Sequence, residues 1–353
     1  MDRKSLIILL MTSALLTVAL AGCNNNDDED DRLSMSGELN FDFPSYAVVG
    51  QRIESYVSGI TTPSGSDLEY FWVSSDIDLE GTDTDTLIGQ AVSMYLPDEP
   101  GEYSIMAYAR SISGEYYSRS STATVQVITT DAGGVGGWVD GTSEIEDSRD
   151  GQTYQTRVYG SLEWFTQNLR YAGTENDTLG RPYDNSEGID RIFGRLYSWN
   201  DATLGEAGSG LGGGPQGACP EGWSVPTVED WEDLAKAVGG TEVDFYEHWN
   251  GIGEILSAPI TVNESAMWPY SPDNLHTNTE GWNGFPTGNS RDHYGEFENI
   301  ASYGMWWASS EMEDGMVPYR FIYYNTDTFD FYYTDKDSYG VSVRCVRLAD
   351  QEQ

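Results

Sequence analysis

Asn289, Arg291, Asp292 and His293 lie close together in a glycine-rich stretch and offer amide, guanidinium, carboxylate and imidazole groups. Such a set can line a binding surface, or it can be spent on hydrogen bonds within its own loop. A little further on, Trp306 and Trp307 are adjacent. Neighbouring side chains of a strand point to opposite faces, so one ring is expected inside and the other outside, where it can stack on a sugar. Asn289, Arg291, Trp306 and Trp307 are therefore the candidate ligand-binding residues. Catalysis finds less support. The 3 histidines, His248, His276 and His293, are scattered and lack the close spacing of a zinc-binding helix. No Gly-x-Ser-x-Gly is present to set up a serine elbow. The 58 acidic residues supply carboxylate pairs for a glycosidase, but sequence does not measure the separation that chemistry requires.

No cofactor is assigned, and calcium stays open only as weak binding. Asp76-Ile77-Asp78-Leu79-Glu80-Gly81 starts like an EF-hand loop, yet its twelfth position is Leu87, where a bidentate Glu is needed. An acidic loop between strands is the better reading. Asp327, Asp330, Asp335 and Asp337 are dense without a recognised spacing.

The third kind of chemistry is attachment. Arg3 and Lys4 precede an uncharged stretch from Ser5 to Gly22, the layout of a secretory leader. Leu20-Ala21-Gly22-Cys23 resembles the lipobox of bacterial lipoproteins, which implies cleavage before Cys23 and acylation of that cysteine. Asn24 to Asp31 then forms an acidic run that repels itself and cannot bury apolar surface. It resembles the surface-export signal of Bacteroidota lipoproteins. The expected location is the outer membrane, lipid-anchored and facing the cell exterior, with a periplasmic tether as the alternative. A net charge of −40 argues against nucleic acid, because binding it requires positive charge. Once Cys23 is set aside, Cys219 and Cys345 remain. In an exported protein two such cysteines read as one disulfide, worth about 5 kcal/mol in the chain-entropy model for so long a loop.

These groups need elements to hold them. Before residue 129 the chain reads as short strands: apolar residues alternate at Leu68/Tyr70/Trp72, Val92/Met94/Leu96, Tyr103/Ile105/Ala107 and Ala123/Val125/Val127, and also at Leu39/Phe41/Phe43. Residues 1–22 are assigned to the leader, 23–35 to the acidic tether, 36–128 to a β-sandwich, 129–137 to a glycine-rich linker and 138–350 to a second domain. That second domain holds nearly all of the 11 tryptophans. Its best helix follows Pro226: Thr227 can cap it, Asp230 and Glu229 suit its positive end, Trp231, Leu234, Ala235 and Val238 share a face, and Gly239 stops it.

Several stretches in order carry a resemblance. They include Asp150-Gly151-Gln152-Thr153-Tyr154, Trp164-Phe165-Thr166-Gln167-Asn168-Leu169, Gly194-Arg195-Leu196-Tyr197-Ser198-Trp199-Asn200, Cys219-Pro220-Glu221-Gly222-Trp223 and Gly340-Val341-Ser342-Val343-Arg344-Cys345. Over about 145–348 the chain resembles the Fibrobacter succinogenes major paralogous domain. The likeness implies kinship with the formylglycine-generating enzyme and C-type lectin folds, and pairing of Cys219 with Cys345. Sulfatase-modifying activity needs reactive thiols besides that pair, and none is left. Tyr70-Phe71-Trp72 and Pro100-Gly101-Glu102-Tyr103 resemble, more loosely, immunoglobulin-like or PKD-like modules.

The expected protein is thus multidomain, an N-terminal all-β immunoglobulin-like sandwich followed by an α+β C-type-lectin-like domain. Its expected work is non-catalytic binding or adhesion toward a glycan or extracellular protein, with the outer-membrane lipid as the anchor's partner. A surface polysaccharide-active hydrolase and an architectural subunit are the alternatives.

Overall fold

Alternation along Gly101–Ser111 and Arg119–Ile128 places Ile105, Ala107, Val125 and Val127 on the inner side of an antiparallel pair. In the computed structural model, which describes residues 31–82, 84–129, 135–243, 248–313 and 315–350, this pair is the heart of a five-stranded sheet. Tyr46–Val48 joins one edge in parallel, while Leu68–Val73 and then Thr86–Ile88 extend the other. Trp72 sits opposite Ala107, a large ring accommodated by a small neighbour, and its indole N–H donates to the Gly89 carbonyl. A second sheet, Arg52–Tyr56 with Ala91–Tyr95 and Asp78–Leu79, closes over that face. Ile53, Val92 and Met94 thereby share one core with Trp72 and Ile105. Phe41 and Phe43 pack on this core from a loop, not from the strand expected there.

Two boundaries differ from expectation. Met35 is already buried in the first core and Leu33 bridges to Tyr116, so the last residues of the stretch expected as tether, 23–35, belong to the first unit. Val135–Gly136 is a strand paired with Thr261–Val262, and a Cβ on Gly137 would lie 2.1 Å from the Pro259 carbonyl oxygen. Part of the expected linker therefore belongs to the second unit, and Gly137 is there to let two backbones approach.

In that second unit the expected helix spans Val228–Ala237. Thr227 Oγ1 accepts from the Asp230 N–H at 3.2 Å while Asp230 Oδ2 accepts from the Thr227 N–H at 2.9 Å. This reciprocal box satisfies donors that a helix start leaves open. An early strand of the unit meets its last: Leu162–Phe165 pairs with Thr153–Tyr159 on one side and Val346–Leu348 on the other. Cys219 and Cys345, 126 residues apart, are joined near this closure with their Cα atoms 5.8 Å apart. A five-stranded sheet runs in the order Thr241–Val243, His248–Asn250, Thr328–Thr334, Val317–Tyr323, Tyr303–Trp307. The described residues are predominantly β, 41% strand against 9% helix.

Both faces of this sheet are used. On one, Trp306, Ile322 and Phe329 join Trp164, Trp231 and Trp282 in the largest core cluster. Each buried indole removes on the order of 200 Å² from water, a gross gain of about 5 kcal/mol before entropy. At the centre lies Arg344, fully buried, its guanidinium 4.5 Å from the Trp282 ring centre. No carboxylate faces it in this hydrogen-bond set. Instead Nη1 donates to the carbonyls of Phe165 at 3.1 Å and Trp282 at 2.9 Å, Nη2 to that of Asn283, and Nε to Asn168 Oδ1 at 2.6 Å. Burial pulls the Arg344 pKa down to about 9, so the group stays protonated at neutral pH.

The two units are welded. Val48 and Ile128 of the first are members of the second unit's main core. Ser186 caps the helix Glu187–Phe193 and also donates its hydroxyl to the Tyr46 carbonyl. A Cβ on Gly188 would come within 3.0 Å of the Ala47 backbone. Asn263 Nδ2 reaches back to Gln126 Oε1 and the Val127 carbonyl, both at 3.0 Å. The strand Arg119–Ile128 ends at this junction and starts beside the hairpin tip, where the Leu33 N–H donates to the Glu115 carbonyl at 2.7 Å. At ~3.3 Å per residue, about 30 Å separate the two ends.

Candidate functional site

The other face of the same sheet opens to solvent along part of its length. Register places Tyr303 opposite Tyr323, Met305 opposite Phe321, and Tyr319 between Trp307 and Tyr332. These side chains share one face because strand side chains alternate. Beyond the buried Trp307 the face becomes the floor of a groove of about 290 Å³, with Met305, Tyr319 and Phe321 below and Tyr303, Tyr332 and Tyr339 along the sides. Tyr332 is 58% exposed, whereas Tyr319 is buried and its hydroxyl pKa is raised by that burial.

A polar rim completes the groove. It comes from the hairpin of Asn289–Arg291 with Glu296–Glu298, which pairs in turn with Tyr339–Gly340. Arg291 Nε donates to Glu298 Oε1 at 2.6 Å, and Asn289 Nδ2 donates to the same oxygen at 3.1 Å. Asn299 Nδ2 donates to Asn289 Oδ1 at 2.7 Å. The Arg291 guanidinium lies 6.0 Å from the Tyr339 ring centre, and the Glu298 charge raises its pKa further. Aromatic faces and hydrogen-bonding groups thus converge on one open depression, an arrangement suited to holding a ligand with an apolar face and polar edges.

Of the four residues singled out by sequence, Asn289 and Arg291 line this groove. Trp306 and Trp307 do not. They do point to opposite faces, but both faces are covered there and both rings are fully buried. Trp306 Nε1 donates to Asn168 Oδ1 at 2.9 Å and Trp307 Nε1 to the Tyr197 carbonyl at 2.7 Å, so both are core residues. Asp292 and His293 form the hairpin turn with Tyr294, all three at positive φ, and that turn delivers the Tyr294 hydroxyl to Asp201 Oδ2 at 2.6 Å. Cys23 lies outside the described residues.

Four acidic residues of the two dense stretches have separate partners. Glu80 pairs with Arg52 at 3.0 Å, Asp327 accepts from the Glu254 N–H, Asp330 meets His248 at 2.6 Å, and Asp337 accepts from Asn200. Among the described residues no group of three or more acid, histidine or cysteine side chains is placed to hold a metal ion. A serine–histidine pair does occur, with Ser257 Oγ and His276 Nδ1 2.9 Å apart. The serine is fully buried and gives its single proton to the Gly253 carbonyl at 2.7 Å, which leaves Nδ1 as the donor. His276 stacks on Trp268 and burial lowers its pKa to about 4, so the pair is a neutral piece of packing.

The groove's tyrosines escaped the sequence reading. Their signal was present: Tyr319, Phe321 and Tyr323 are spaced by two along one strand. Nothing marked which side of that strand would stay open.

Two fused β-rich units, the second closed by a disulfide and bearing an aromatic groove, define the class of protein. The chain belongs to the family of the Fibrobacter succinogenes major domain, whose model matches residues 158–347. No curated protein matches it. Among solved structures, the adhesin InvE of Yersinia pseudotuberculosis is similar over 89% of this chain and 70% of its own, at 12% identity and a TM-score of 0.25. A nucleoside hydrolase-related protein from Saccharophagus degradans, associated with carbohydrate metabolism, is similar over 27% of this chain at 14% identity and a TM-score of 0.22. This chain spans 26% of that protein.

Proposed function

We propose that this chain is a lipid-anchored outer-membrane protein, facing the cell exterior, whose second unit binds a glycan without transforming it. The observation that carries the reading is the groove of Tyr303, Tyr332 and Tyr339 with the Asn289–Arg291–Glu298 rim. Sugar rings present C–H faces to aromatic side chains and hydroxyls to such rims. Glycoside hydrolysis uses two carboxyl groups across one cleft. Glu298 is the carboxylate among the groove-lining residues, and Asp330, further along the floor strand, is committed to His248. We read the first unit as an immunoglobulin-like or PKD-like spacer, on the strength of its facing sheets. We read the second as a C-type-lectin-like relative of the formylglycine-generating enzyme fold, on the pairing of an early strand with its last and on its closing disulfide.

The anchor reading rests on Leu20-Ala21-Gly22-Cys23 and the acidic run behind it. Labelled fatty acid is expected to enter the native protein and to be lost in Cys23→Ala; an unmodified thiol there would remove the anchor. For binding, purified protein is applied to an array of glycans and extracellular proteins. Retention on a glycan is expected. Release of reducing ends from the bound polysaccharide would move the protein to the hydrolases, and capture of proteins alone would move it to the protein adhesins.

A further inference from the structure

We infer that the groove takes a neutral sugar residue and grips it through a pair of adjacent hydroxyls; this deepens, and rests on, the glycan-binding reading. The rim has hydrogen-bonding capacity that is not spent within the protein. Glu298 Oε1 already accepts from Arg291 Nε and Asn289 Nδ2, while Oε2 carries no hydrogen bond from any described residue. Arg291 spends Nε on that carboxylate, and its terminal nitrogens remain on a side chain that is 48% exposed. The rim therefore presents a carboxylate acceptor beside guanidinium donors, held at fixed spacing by the 2.6 Å ion pair. Each hydroxyl of a vicinal diol is both donor and acceptor, so two of them satisfy that pattern together.

The ion pair sets one like charge against each charged class of ligand. A uronate or sulfate approaching Arg291 meets the free Glu298 oxygen and the field of a protein of net charge −40. An amine or quaternary ammonium is drawn in by that field and by the tyrosine faces, but at contact it meets the Arg291 cation, which already lies against Tyr339. A neutral ring meets neither obstacle, and its C–H face can lie on Tyr332 or Tyr339.

The test uses full-length protein in affinity electrophoresis against soluble neutral glucan, mannan and galactan, polygalacturonate, and chitosan oligomers. A neutral polymer is expected to retard the protein. Arg291→Ala and Glu298→Gln are each expected to weaken that binding roughly tenfold, because each removes one charge-assisted bond. Tyr332→Ala is expected to weaken it as well, without touching the rim. The sign of the Glu298→Gln effect is decisive. Tighter binding of polygalacturonate in that variant identifies an acidic ligand and overturns this inference while leaving glycan binding intact. Tighter binding of chitosan in Arg291→Ala does the same for a cationic one. Failure of every glycan to bind a protein with native near-UV circular dichroism overturns the glycan reading itself.

Discussion

Two assemblies of arginine, asparagine and aromatic rings lie on opposite sides of one sheet. Arg344 with Asn168, Trp282 and Trp306 is sealed inside, and its four donor contacts are matched by three carbonyls and an amide oxygen. Arg291 with Asn289, Tyr339 and Glu298 lies open, with donors and an acceptor to spare. The residue types are nearly the same. What separates a core from a site is whether the polar atoms are already satisfied, since a buried unmatched group costs about 1–3 kcal/mol and an exposed one is served by water until a ligand arrives.

The contrast is broken most severely from the inside. Arg344→Met keeps an apolar filling but strands the carbonyls of Phe165, Trp282 and Asn283, and a loss of about 4 kcal/mol is expected in urea unfolding. A variant within 1 kcal/mol of the parent, to the same order, would show that the sealed assembly is dispensable.

Acid probes another sealed polar group. His276 has a folded pKa of about 4 against 6.5 when free. Its neutral form is favoured by folding, so this contribution is complete above pH 6.5, declines as pH falls toward 4, and is gone below that. The full loss is about 3 kcal/mol. Urea midpoints of the parent should drop across that window, and His276→Gln should lack that part of the drop.

Asn168→Ala withdraws the oxygen shared by Arg344 and Trp306 and leaves the rest of the cage in place. A cost of about 2 kcal/mol is expected, read from the thermal midpoint. On the open side, Arg291→Ala and Tyr332→Ala should each change stability by less than ~0.5 kcal/mol. A large destabilisation by either would mean that the groove is a packing surface.

How much of this was legible follows from the range of the forces involved. The helix Val228–Ala237 was readable because its cap, its face and its stop lie within a few turns of one another. The Cys219–Cys345 pair was readable because no other partner remained after Cys23. Asn289 and Arg291 were found because their loop gathers polar groups in sequence. Trp306 and Trp307 misled because alternation reports which face a ring takes and says nothing of what covers that face. Covering is done by Tyr197, Trp199 and Trp282, which lie far away along the chain. The weld between units was invisible for the same reason: Tyr46, Ser186 and Asn263 carry no local mark of the contacts they make.

That weld has a mechanical consequence. Leu33 lies beside one end of Arg119–Ile128 and the junction at Ile128 forms the other, so a pull between those two points runs along the strand and across its rungs to Gly101–Ser111. The rungs must slide together instead of peeling in turn, and the joint at Ile128 offers no slack. Loaded between its hairpin tip and that joint, the first unit would behave as a stiff strut.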